Sequence, residues 1–220
     1  MSTFIILIIY ISVLIFSVVL HEVAHGAMAN KLGDQTAKML GRLTLNPLPH
    51  LDLLGSVIVP IGLIVVSLLP GGSPVIFGWA KPVPYNPNNF KKHRKWGEAL
   101  VGLAGPITNF LLVIVFGIAL RFTFPMLAEN PQLTGMAIVF AITVQLNLLL
   151  GIFNLVPIPP LDGSKLMYTL FSVPYKTRIF LEKNGFIFLL LFIFFGFQLV
   201  VPAIVYLFGL ITGISTGAVF

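Results

Sequence analysis

The chain contains no cysteine. Disulfides and thiolate-ligated metal sites are therefore excluded, and nothing can be read about the redox compartment. Charge is almost as scarce. Only 9% of the 220 residues are charged, against about a quarter in a soluble domain. So few polar side chains cannot cover a water-facing surface, so lipid is the solvent for most of this chain. The 57% hydrophobic content and the mean hydropathy of +1.01 say the same. Acidic residues are the rarest charges, 7 against 13 Lys and Arg, for a net charge of +6. The basic residues fall in short loops between apolar runs, where they set orientation and touch anionic headgroups. No nucleic-acid partner is expected, and no solenoid-type repeat is visible.

What remains is a set of long apolar runs. Residues 1–220 read as one transmembrane domain, an all-α polytopic membrane protein of about four main transmembrane helices. The spans fall at about 4–30, 98–121, 133–157 and 186–210. A shorter apolar run at 53–69 carries Pro60, and with the segment after it reads as a re-entrant excursion over 53–80 with short strand-like pieces. Met39–Leu45 has strand character and is too short to span. The proline-spaced alternation Gly78–Pro84 cannot be helical and reads as an extended edge. The uncharged stretch 186–220 is too long for one straight span, so Pro202 is expected to kink or break it. Ala27-Met28-Ala29 resembles a signal-peptide cleavage site. No Lys or Arg precedes the first run, however, and a polar hexapeptide interrupts the pattern, so the run is expected to be retained.

That hexapeptide is His21-Glu22-Val23-Ala24-His25-Gly26. On a helix, His21 and His25 lie one turn apart and point the same way. Two imidazoles so placed hold one zinc ion, and Glu22 reaches a water on it as general base. The bland alternative is two His and a Glu that fall near headgroups by chance. Ionisable groups at this depth are costly and tend to be functional. Asp162 is the best candidate for a third ligand, with helix capping as its alternative. Two His and one Asp suit catalytic zinc with a fourth position left for water.

Asp162 can meet the two His only if the ends of their spans emerge on one side. That requires an odd number of crossings within 31–132. The span at 98–121 supplies one, hence the re-entrant reading of 53–80. Charge counting agrees. Loops 31–52, 81–97 and 158–184 then share a side and hold three, five and four Lys/Arg, leaving only Arg121 opposite. By the positive-inside rule that side is cytoplasmic.

Three motifs now combine: His21-Glu22-x-x-His25, Gly105-Pro106-x-x-Asn109, and Asn154-x-x-Pro157-x-Pro159-x-x-Asp162-Gly163. Over nearly its whole length the sequence resembles the site-2 protease class of intramembrane zinc metalloproteases (peptidase M50-like), most closely the small subgroup without a PDZ domain. The resemblance implies one zinc ion per chain, held by His21, His25 and Asp162, with Glu22 as general base. Many members follow Asp-Gly with a second Gly, where Ser164 stands here. Asn154 is expected to hydrogen-bond the substrate amide or the oxyanion, its alternative being an interhelical bond. Asn109, beside Gly105 and Pro106, reads rather as a staple between closely approaching helices. His50 and Asp52 read either as gating or supporting groups or as a loop pair among headgroups. His93 reads as solvated. Gly209-x-x-x-Gly213 is compatible with helix pairing or internal packing and leaves the oligomeric state open.

The expected activity is that of a zinc metalloendopeptidase. It would cut peptide bonds within or near transmembrane segments of membrane-protein substrates, from a site on the cytoplasmic side of the cell membrane. A helical substrate hides its carbonyls and must unwind, and the Gly78–Pro84 edge is expected to pair with it as a strand. The alternative from another class is a membrane zinc-binding transporter or channel, which has no need of a base at Glu22.

Overall fold

The computed structural model describes residues 2–59, 61–62, 78–93 and 95–214. The chain opens with α1 (Thr3–Leu32), started by Ser2, whose Oγ accepts from the Ile5 amide. It stops at Gly33, whose φ of 114° is open to glycine and lets its N–H return to the Ala29 and Asn30 carbonyls. The short α2 (Thr36–Met39) follows, then a 3-10 turn at Leu48–His50 and a π turn at Leu53–Ile58. After the irregular stretch 78–86 come α3 (Gly97–Thr123), α4 (Thr134–Asn154), α5 (Gly163–Leu170), α6 (Tyr175–Lys183), α7 (Gly185–Leu191) and α8 (Val200–Thr212).

Among the described residues, four helical stretches are long and apolar enough to cross a membrane: Phe4–Leu32, Gly97–Ala128, Pro131–Asn154 and Gly185–Thr212. The chain is an all-α integral membrane protein. Helix α3 runs antiparallel to α1 and α4, because its start lies against His25 and its middle against both Ser17-bearing α1 and Asn147 of α4. Val113 and Leu120 of α3, Ala141, Val144 and Leu148 of α4 and Phe208 of α8 form a buried cluster toward the far end of this bundle. Near the opposite end Ala29, Leu32, Phe90 and Val101 make a second one.

Two expectations change, and most of a third falls outside the described residues. No strand is present among the described residues. Met39–Leu45 instead satisfies its amides locally, with Leu40 bonded to the Thr36 carbonyl and Arg42 to that of Ala37, which closes α2. Most of the expected re-entrant segment 53–80 lies outside the described residues. Its start is the π turn, capped by Asp52, whose Oδ1 accepts from Gly55 at 2.7 Å. The other change concerns the last span. Its irregular part is Phe192–Leu199, a π turn followed by a 3-10 turn. Pro202 lies in the first turn of α8, where a missing N–H leaves no helical bond unmade.

The Gly78–Pro84 stretch is non-helical, as expected, and is bonded inward as a strap. The Lys81 N–H bonds the His50 carbonyl at 2.9 Å, and Trp79 N–H bonds that of Gly55 at 3.1 Å. Buried Arg42 donates from Nη2 to the carbonyls of Lys81 at 2.8 Å and Pro82 at 3.3 Å. The far end of the strap is tied to Asp34, which is fully buried. Asp34 accepts from the Asn86 amide at 2.7 Å, Asn89 Nδ2 at 2.8 Å and Thr36 Oγ1 at 2.6 Å.

Candidate metal centre

Helical geometry alone puts His21 and His25 on one face of α1, their ring centroids 4.6 Å apart and edge to face. The chain then brings in a third group from a distant segment. Asp162 Oδ2 lies 3.1 Å from His21 Nε2 and 3.2 Å from His25 Nε2. All three side chains are buried. Glu22 is half-buried beside them, and ligand atoms of His21, Glu22 and His25 lie within 4.8 Å of one another. Asp162 owes its position to the turn after α4. Gly163 is required there, because a Cβ would overlap the Leu155 carbonyl oxygen. Ser164, in place of a second glycine, fits because its hydroxyl donates to the Leu161 carbonyl at 2.7 Å.

Each imidazole has its other nitrogen engaged. His21 Nδ1 meets Asn109 Oδ1 at 2.5 Å, and His25 Nδ1 meets the Val101 carbonyl at 2.6 Å. With Nδ1 donating, both Nε2 lone pairs face the shared centre, the arrangement that metal-binding histidines use. Lys165, one turn into α5, places Nζ 3.2 Å from Asp162 Oδ1. The second oxygen is thereby turned away, and Oδ2 alone faces the imidazoles.

These residues fit zinc. The donor set is two neutral imidazoles and one carboxylate, the composition of catalytic zinc sites with an open position. The backbone leaves room for the ion. A Cβ on Gly105 would stand 2.5 Å from Nε2 of both histidines, so the glycine keeps clear the space on which the ligands converge. Glu22 points elsewhere within reach. Its Oε2 accepts the Val83 N–H of the strap at 2.8 Å.

The other expected site residues are distributed as follows. Asn109 touches His21 directly, beyond the helix-stapling role expected of it. Pro106 sits inside α3 one residue past Gly105 and is buried. Asn154 donates from Nδ2 to the Leu150 carbonyl of its own helix at 2.9 Å. His50 is buried with Nε2 against the Thr44 carbonyl and supports the strap rather than the cluster. His93 is exposed. Sequence reasoning missed Val101, Lys165, Val83 and Asn147, the partner of Asn109. Lys165 carried a signal, the three-residue spacing after Asp162. So did Asn147, a polar side chain in an apolar span that needs a partner.

The family model for peptidase family M50 matches residues 9–134 and 125–195. A Bacillus subtilis (strain 168) protein named "Putative zinc metalloprotease YwhC" is 41% identical over 184 residues, 82% of this chain and 78% of that one. A zinc metalloprotease of Methanocaldococcus jannaschii is 27% identical over 162 residues, 74% of this chain but 34% of its own length. Rip2 of Mycolicibacterium smegmatis, named in the same terms as the Bacillus protein, is 33% identical over 150 residues, 68% of this chain and 52% of its own. The chain thus spans only about a third to a half of the latter two relatives. No solved structure gives a significant match.

Proposed function

The chain belongs to peptidase family M50 and is a zinc metalloprotease of the site-2 protease class, and from this premise we propose that it hydrolyses peptide bonds within or near the transmembrane segments of membrane-protein substrates. The observation that carries the proposal is the meeting of Asp162 with His21 and His25 across some 140 positions of an apolar chain. Four spanning stretches and the buried position of the cluster support a site reached from within the bilayer.

In this proposal His21 Nε2, His25 Nε2 and Asp162 Oδ2 hold the ion. Zinc bound there supplies Lewis acidity and a water that ionises near pH 7 (roughly). Glu22 accepts the proton of the attacking water on its carboxylate and delivers it to the nitrogen of the departing amine. The Val83 N–H holds Glu22 Oε2 and leaves Oε1 as the atom for the proton. Lys165 engages Asp162 Oδ1, so that Oδ2 would be the oxygen offered to the ion. Asn154 is assigned to the substrate or the oxyanion, which requires its amide to turn away from Leu150. The strap has its Lys81 and Val83 amides committed inward. A substrate strand must therefore displace these bonds or pair along the strap's other side. Twelve of the 13 basic residues lie in the three loops assigned to the side of the metal centre, and this supports a cytoplasmic-facing site in the cell membrane.

The test is zinc analysis of the purified protein together with cleavage of a model single-span substrate. Wild type is expected to carry one zinc and cleave. Glu22→Gln is expected to carry zinc and lose at least about a hundredfold in rate. Undiminished cleavage by Glu22→Gln would overturn the mechanism. Zinc flux that persists in that variant, without proteolysis by wild type, would favour the transporter.

A further inference from the structure

The bond between His21 and Asn109 is the end of a longer chain of hydrogen bonds. Asn109 Nδ2 donates to Asn147 Oδ1 at 2.7 Å. Asn147 Nδ2 donates to the Thr143 carbonyl and to Ser17 Oγ, both at 2.8 Å. Ser17, Asn109 and Asn147 are all at 0% exposure, so no water competes for these bonds.

The direction of the chain follows from its fixed end. A main-chain carbonyl only accepts, so the Asn147 atom facing Thr143 is its amide nitrogen. The other Asn147 atom is then oxygen, which also only accepts. Asn109 must present its nitrogen to that oxygen and its own oxygen to His21. An oxygen at that place accepts, so His21 Nδ1 carries the proton and Nε2 keeps its lone pair. His25 reaches the same state in one step, through the Val101 carbonyl.

We propose that Asn147 is a positioning residue of the metal centre, which acts through Asn109 to hold His21 as the Nδ1–H tautomer with Nε2 turned to the ion. This rests on the reading of His21, His25 and Asp162 as the zinc ligands. Ser17 has a lesser part. A hydroxyl can donate or accept, so it imposes no direction on the chain, and the Thr143 carbonyl suffices without it.

The test uses the full chain in detergent or bilayers, with zinc affinity measured by chelator competition and the His21 ring nitrogens followed by 15N NMR of the zinc-loaded protein. Asn147→Leu and Asn109→Leu are each expected to weaken zinc binding by about tenfold or more, the range for supporting partners of metal-bound histidine. The double variant is expected to be no weaker than Asn109→Leu alone, since Asn147 works only through Asn109. Ser17→Ala is expected to stay within about twofold of wild type. Asn147→Asp is the rescue. Its carboxyl still accepts from Asn109 Nδ2, so zinc affinity is expected to be retained even if stability falls. Should Asn147→Leu not fold, Asn147→Asp and the wild-type spectrum decide. The proposal is overturned if His21 binds zinc through Nδ1, if Asn147→Leu binds zinc as tightly as wild type, or if the two leucine substitutions add. A wild-type protein that binds no zinc overturns the metal-centre reading itself.

Discussion

An alanine at position 105 would carry its methyl group to 2.5 Å from Nε2 of both His21 and His25, into the space the ligands share. The nearest atoms are ring nitrogens whose far sides are already bonded to Asn109 and Val101, so they have nowhere to retreat. Gly105→Ala is expected to lose some stability as the rings are forced aside, to purify with little or no zinc, and to lack proteolysis. Metal analysis beside a thermal melt checks both halves, and a fully zinc-loaded variant would refute the argument. At this scale the sequence was most legible where chemistry is local. His21, Glu22 and His25 lie on one helical turn, and their spacing alone declares a shared face. Asp162 needed its motif as well. Gly105 was readable as a close helix approach but not as the floor of the ion's space, because that depends on which residues stand across from it. Asn147 announced itself as a polar side chain in an apolar span, but that its partner is Asn109 was illegible for the same reason.

The strap is the element on which the site's geometry turns. Its Val83 N–H reaches Glu22, while Arg42 and His50 grip the residues just before. Val83→Pro deletes the N–H and is expected to lower kcat by about ten- to a hundredfold with zinc content unchanged, a part of the ~10²–10⁴ that general-base catalysis contributes. Val83→Ala keeps the N–H and is expected to cleave far faster than the proline variant. Equal rates for the two would show that the amide does not matter. The other end of the strap depends on acid. Burial opposes the Asp34 carboxylate, but hydrogen bonds from Asn89, Thr36 and Asn86 outweigh it and hold its pKa below the ordinary 3.8. The folded value lies below the unfolded one, so its stabilisation is complete above pH 3.8 and is lost as the pH falls through the folded value. Asp34→Asn turns a donor toward a donor and is expected to cost about 1–3 kcal/mol near neutrality. The gap between the two melting curves should close as the pH is taken below about 4; a gap that stays constant into acid would contradict this. The sequence revealed through its prolines that the strap is not helical. It did not reveal which side its amides face, because those partners come from residues 22, 50 and 55.

For the whole molecule, the absence of cysteine becomes an experimental convenience. Single cysteines placed at exposed positions report sidedness without background. Lys176→Cys, on α6 after the metal centre, and Glu129→Cys, between α3 and α4, should be labelled by an impermeant thiol reagent from opposite faces of the cell membrane, with Lys176→Cys reached only from the cytoplasm. Labelling of both from one face would undo the assigned topology. The C-terminal span follows the same plan. Gly185 packs on Pro159 near the metal centre, whereas Arg121 donates to the Leu210 carbonyl at the far end. The number and order of apolar runs were plain in the sequence because lipid solvation demands them. The position of the irregular turns in the last span was not, since Phe192–Leu199 contains no proline to announce it.

The buried amides of Asn109 and Asn147 have one more consequence. Ser17 and His21, the two ends of their chain, both belong to α1, so the path leaves that helix, passes through α3 and α4, and returns to it. Three helices are laced into a ring. Parting any of these seams to admit a polypeptide would strand amide groups in hydrocarbon. On the proposed reading, a substrate is expected to enter elsewhere than through these three seams.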